Sequence, residues 1–175
     1  MPERYIWIDR KFDFVLPARM FPLTVERVRG GPARVEDIVR GLSNYTLTAK
    51  NGDAWSIQEQ IGHLVDLEYL WLRRFEEIVA GISPLTAWEE TNRATYEARY
   101  NEKNLETILK NLRAERLKFV QRLDEVSDEQ IEKRGLHPRL QTQIRLIDLA
   151  YLVAEHDDHH LADITRLKRM FRERS

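Results

Sequence analysis

Glycine and proline, the residues that interrupt helices, are confined to a few places in this chain. Beyond Gly52 they occur only at Gly62, Gly81, Pro84, Gly135 and Pro138, leaving residues 85–134 and 139–175 with neither. Breaker-free stretches of that length, with apolar residues recurring every three or four positions, read as helices. Long helices joined by mostly short links bury their apolar stripes against one another, so the expected fold is an all-α, up-down four-helix bundle filling residues 1–175 as one domain.

Helix one is expected over Pro17 to about Leu42, kinked or split at Gly30-Gly31-Pro32, where glycine is flexible and proline lacks an N–H. Before it, Tyr5-Ile-Trp-Ile reads as an extended arm packed on the bundle or on a second subunit. Helix two is the best marked: Ser56 with Glu59 forms a capping box after the turn-forming Lys50-Asn51-Gly52-Asp53, and Gly81 and Pro84 stop the helix near Ala80. Along it Ile57, Ile61, Leu64, Glu68, Trp71, Phe75 and Ile78 draw one stripe. Residues 85–100 are irregular or weakly helical. Helix three follows from about Glu102 to Leu123, with Leu105, Ile108, Leu109, Leu112, Leu117, Val120 and Leu123 inward. Ser127 and Gln130 make a second capping box, with Val126 and Ile131 as its staple, and helix four spans about Thr142 to Arg172.

The 175 residues are 42% hydrophobic and 33% charged, with a formal net charge of −1. A chain of this length buries roughly 70% of its unfolded surface, which suffices for a packed core. The interspersed charges make no basic field, so nucleic acid is excluded as a partner. The cations Arg166, Lys168, Arg169, Arg172 and Arg174 suit the negative end of a terminal helix. No cysteine is present, which removes disulfides, thiolate metal sites and a Cys nucleophile, and suits a reducing compartment. No membrane span or signal-peptide run is seen, so the expected location is the cytoplasm.

The functional signal lies in the histidines. Of five, His63 falls inside helix two and His156, His159 and His160 inside helix four. Residues four apart on a helix rise roughly 6 Å and turn only about 40°, so His156 and His160 project from one face. Counting from Val153 through His156, His160, Ile164 and Leu167 places that face inward, and His63 beside Leu64 and Leu67 also looks toward the core. Unpaired imidazoles in an apolar core cost on the order of 1–3 kcal/mol each. A shared cation relieves all three. The alternative, satisfaction by carboxylates, suits a single histidine better than this constellation.

Three neutral nitrogens leave open coordination positions, the pattern of a reactive metal site. A divalent ion there lowers the pKa of water or of a thiol. Zinc or nickel are the expected ions, with iron, manganese and cobalt compatible. Glu59 and Asp163 are candidates to orient the imidazoles. His159, turned about 100° from His160, is expected outside the ligand set and off the same pocket wall. His137 precedes Pro138 in a loop, where a restricted backbone explains it. Any pocket is expected to be walled by Trp71, Trp88 and Tyr96.

The segments Trp55-Ser-Ile-Gln-Glu-Gln-Ile-Gly-His63-Leu-Val-Asp-Leu-Glu68 and Glu155-His156-Asp-Asp-His-His160-Leu-Ala-Asp-Ile164, at their separation, resemble the DinB/YfiT-like superfamily of metal-dependent enzymes. The resemblance implies a four-helix bundle, commonly a homodimer, with a three-histidine site at His63, His156 and His160. Characterised members include thiol-dependent S-transferases and a maleylpyruvate isomerase that uses low-molecular-weight thiols. The implied function is activation of a small thiol or water for transfer to a small electrophilic substrate. Hydrolysis, or a non-catalytic metal-binding bundle, stands beside it.

Overall fold

The computed structural model describes residues 6–172, the side chain of Arg172 excepted. Its helices are α1 (Phe21–Arg29), α2 (Gly31–Val39), α3 (Asn44–Thr48), α4 (Ile57–Ala80), α5 (Arg93–Glu97), α6 (Leu105–Asp124), α7 (Asp128–Ile131) and α8 (Leu146–Arg172). A hairpin of β1 (Arg134–His137) and β2 (Thr142–Arg145) precedes α8. Four long arms form the bundle: α4 packs on α6 and α8, while α1 and α2, end to end, run along α6 and α8.

The arms are built as their apolar periodicity dictates. α4 starts at the Ser56–Glu59 capping box and ends where Gly81 turns left-handed, at φ 73°. All seven stripe residues named for it are buried. Two apolar clusters fill the bundle. One joins Val25 and Val28 of α1 to Phe75, Phe119, Leu149 and Val153. The other joins Val35 and Val39 of α2 to Ile57, Ile61, Ile108, Leu112, Ile164 and Leu167. The clusters also give the direction of each arm. α4 and α6 enter at the second cluster and leave at the first, whereas α1–α2 and α8 run the other way. The bundle is therefore as expected, but its arms do not simply alternate. Residues 81–104 cross back along α4, from Leu85 in the first cluster to Tyr100 in the second.

Between the clusters lies a charged belt to which every arm contributes. Arg116 on α6 binds Glu68 on α4 (2.6 Å) and Asp157 on α8 (2.5 Å), and donates to the Val28 carbonyl of α1 (2.8 Å). Burial works against the guanidinium charge, but the two carboxylates carry its pKa above the ordinary value. Gly31 lets α2 come this close, since a Cβ there would stand 2.3 Å from Asp157 Oδ2 and 2.7 Å from Arg116 Nη1. The Gly30-Gly31-Pro32 break thus divides helix one where the belt passes. Periodicity alone had placed Leu117 inside; it is 54% exposed, and Arg116 takes the inward position.

Three expectations are corrected. Helix four begins at Leu146, because Thr142–Arg145 pair antiparallel with Arg134–His137, Gly135 opposite Ile144, and the Asp148 carboxylate accepts from the Arg145 N–H at the helix start (2.9 Å). Helix one ends at Val39, with Ala18–Met20 as a turn of 3₁₀ helix before it. The amino-terminal arm is no plain extended segment: Trp7–Asp9 form another such turn, and Trp7 packs on the same chain's bundle. Tyr5 of that arm lies outside the described residues, as do the side chains of Arg172 and Arg174. Of the terminal cations, Lys168 donates to the Ile38 carbonyl of α2 (2.6 Å). Among the described residues, no helix is long and apolar enough to cross a membrane.

Candidate metal centre

His63 stands in the second turn of α4, and His156 and His160 one turn apart on α8. One ring nitrogen from each of the three buried histidines lies within 4.8 Å of the others. The rings face one another, with centroids 4.4 Å apart for His156–His160, 4.9 Å for His63–His160 and 5.5 Å for His63–His156.

Outer partners set which nitrogen is offered. His63 Nδ1 is 3.2 Å from Thr95 Oγ1, whose hydroxyl proton goes to Asp66 Oδ2 at 2.8 Å. The threonine oxygen therefore accepts from His63 Nδ1–H, leaving Nε2 with a free lone pair. Tyr100 completes the brace by donating to the other Asp66 oxygen (2.6 Å), its ring lying flat on Gly62. On α8, His160 Nδ1 is 2.5 Å from Gln60 Oε1, an atom that can only accept, so Nδ1 carries the proton and Nε2 presents a lone pair.

The donor set fits a divalent cation. His160 Nε2 lies 3.1 Å from His156 Nε2, close to the roughly 3.3 Å that separates two nitrogens on one tetrahedral zinc. His156 Nδ1 is buried without a hydrogen-bond partner, so neither tautomer of that ring is satisfied by protein groups. A cation held by both Nε2 lone pairs would end their mutual repulsion. Burial, and then the nearby His159, push the His63 pKa down to about 3. Burial likewise holds His156 well below its ordinary value. Both imidazoles are therefore neutral at ordinary pH, the state that ligates.

The three rings form one wall of a cavity of about 330 Å³. All four tryptophans of the chain line it: Trp7 from the arm, Trp55 before α4, Trp71 on α4 and Trp88 from the crossover. Trp71 and Trp88 stand where expected. Tyr96 does not line the cavity; it is 57% exposed and packs edge-on against Trp55. His159 is half-buried on the cavity wall, 5.5 Å from Trp7, which corrects its exclusion from that wall while leaving it outside the three-nitrogen cluster. His137 is a second correction. It is buried at the end of β1, not set in a loop, and it lines the same cavity. Glu59 is held by its cap, at 2.8 Å from the Ser56 N–H, and by Lys50 at 2.9 Å, while Asp163 lies 3.5 Å from Arg166. His63 is oriented by Thr95 and Asp66, and His160 by Gln60. Gln60 could have been suspected from its place one turn before His63. Thr95 carries no signal in the sequence, because only the crossover brings it to α4.

With that geometry in place, the family is decided by its sequence profile, which matches residues 27–164. The chain belongs to the DinB superfamily. One similar solved DinB-like structure is described as "YfiT from Bacillus subtilis is a probable metal-dependent hydrolase with an unusual four-helix bundle topology". It shares 19% identity at a TM-score of 0.79, with 93% of each chain covered, and so establishes the bundle fold. No curated protein matches this DinB-superfamily chain.

Proposed function

We propose that this protein is a metal-dependent enzyme in which His63, His156 and His160 hold one divalent cation and the aromatic cavity beside them receives a small electrophilic substrate. One observation carries the reading: three buried imidazoles, two of them braced from outside by Thr95 and Gln60, converge on the wall of a cavity large enough for a small molecule. A structural ion would be closed off by a fourth protein ligand, and the described residues supply three. When bound, such an ion lowers the pKa of a water or thiol and polarises an acceptor oxygen.

The chain's own groups do the rest. Thr95 and Gln60 keep Nδ1–H of His63 and His160 turned outward, so that the inner nitrogens stay unprotonated. The tryptophans exclude bulk water and offer flat apolar faces. The Trp55 indole N–H, buried without a partner, is a free donor in that wall. Hydrolysis is the reaction class that the YfiT description favours, and a low-molecular-weight thiol in place of water is the second arm of the same proposal. The substrate is a small molecule, the ion zinc or nickel, and the assembly a homodimer.

Elemental analysis of protein purified without a histidine tag is expected to give one divalent ion per chain. Small-ester hydrolysis or thiol transfer is expected to stop on chelation, to return with zinc or nickel, and to fail in His156→Ala. An untagged protein without metal, or a chelated one with full activity in both screens, refutes the reading. Light scattering at assay concentration tests the dimer.

A further inference from the structure

Arg74 is a buried cation that no carboxylate grips directly among the described residues. It is 2% exposed and lines the cavity. Its Nε donates to the Thr86 carbonyl (2.9 Å) and its Nη1 to His137 Nε2 (3.1 Å), which leaves Nη2 without a hydrogen-bond partner among the described residues. Arg116, the other buried arginine, is by contrast gripped by two carboxylates. Glu77 acts on Arg74 through space, but its oxygens are taken by Arg73 and by the Thr86 N–H. Arg139 adds a second guanidinium to the same wall, donating to the Ile8 and Arg10 carbonyls at 2.8 and 3.3 Å and lying over the Trp7 ring. Among the described residues, no aspartate or glutamate lines the cavity. A guanidinium in a largely apolar wall is costly unless an anion joins it.

The position is suited to a substrate. Arg74 follows His63 by eleven residues, a rise of about 16 Å that returns to within about 20° of the same helix face. Long helical side chains lean toward the helix start, which carries this guanidinium back toward the histidines. Trp71 lies between, its ring 5.5 Å from the His156 ring and 5.6 Å from Arg74 Cζ. The His156 ring and the Arg74 guanidinium are thus no more than about 11 Å apart, within the reach of a small aromatic or aliphatic acid.

We infer that Arg74, flanked by His137 and Arg139, forms an anion subsite that takes the carboxylate of a small substrate with an apolar body, placing its reacting group at the three histidines. The inference rests on the active-site reading above and narrows its substrate class. Planar guanidinium and planar carboxylate match in two parallel hydrogen bonds. The neutral His137 imidazole, by accepting from Nη1, holds the fork in place.

Because every tryptophan lines this cavity, intrinsic fluorescence reports its occupancy. Phenylacetate and its neutral analogue phenylacetamide are titrated into the protein as purified and again after chelation. The expected result is saturable binding of phenylacetate at least tenfold tighter than the amide in both states. Arg74→Met and Arg74→Gln are expected to remove that preference. Equal affinity for acid and amide, no saturable phenylacetate signal, or an unchanged preference in a folded Arg74 variant overturns the subsite. Should both Arg74 variants misfold by circular dichroism, the wild-type ratio and the expected several-fold loss in Arg139→Met decide it. A protein that prefers the acid but holds no metal refutes the metalloenzyme reading alone. A metal-dependent enzyme indifferent to the carboxylate refutes the subsite alone.

Discussion

Gly62→Ala tests the brace behind His63 with a result whose sign is informative. In the middle of an exposed helix, alanine in place of glycine stabilises by about 1 kcal/mol. Here a Cβ would stand 2.1 Å from Tyr100 Cδ2 and 2.3 Å from Cε2, against an ordinary carbon contact of about 3.5–4 Å. The tyrosine ring must retreat by more than an ångström, enough to break its 2.6 Å bond to Asp66. Overpacking costs about 1–3 kcal/mol, and the lost bond to a charged acceptor about 1.5–3 kcal/mol. After the helix-propensity gain, a net loss of about 2–5 kcal/mol remains, or a fall in Tm of about 5–15 °C for a chain of this size. Urea unfolding measures it. In a Tyr100→Ala background the same substitution is expected to stabilise, because the obstructing ring is gone. A Gly62→Ala protein as stable as the parent, or more so, refutes the account of how Tyr100 seats against α4.

Thr95→Val removes the acceptor for His63 Nδ1–H and is expected to weaken metal affinity about 10–100-fold, read by competition with a chromophoric chelator; unchanged affinity refutes the brace. Arg116→Met leaves Glu68 and Asp157 buried with no cation, so the unfolding free energy is expected to drop by about 3–5 kcal/mol with an unchanged m-value. Burial, then Arg74 and Arg139, push the His137 pKa down to about 3, so between that value and about 6.5 the unfolded chain takes a proton the folded one refuses. Its contribution is full above pH 6.5 and fades as pH falls toward 3, by about 2 kcal/mol at pH 5. Urea titrations at pH 7 and pH 5 are expected to show a smaller acid loss in His137→Gln than in the parent; equal losses refute this assignment.

The parts legible in the sequence are those in which local rules and tertiary packing agree. α4 could be drawn to its last residue because its cap, stripe and left-handed glycine are all local. His156 and His160 were readable because helical pitch alone brings them together. What escaped depends on distant segments. Thr95 and Tyr100 reach His63 only because residues 81–104 double back along α4, a path with no periodic signature. Arg116 was passed over for Leu117 because an apolar count cannot foresee that two carboxylates from other helices will neutralise an inward arginine. The hairpin was absorbed into helix four since Ile144 fits either spacing, although Arg145 followed three residues later by Asp148 marks the true start. The cationic wall was hidden by a net charge of −1, an average that says nothing about Arg74 and Arg139 sharing one cavity.

The charged belt bears on how the site acquires its ion. Asp157 adjoins His156, and its grip on Arg116 fixes the roll of α8 about its own axis, while Glu68 does the same for α4. The imidazoles are thereby aimed before any cation arrives, unlike small zinc domains that stay unfolded until loaded. In the proposed metalloenzyme, loading and unloading would then be local events within a standing scaffold. An ion bound there would be selected by supply as much as by the ligands' own preference.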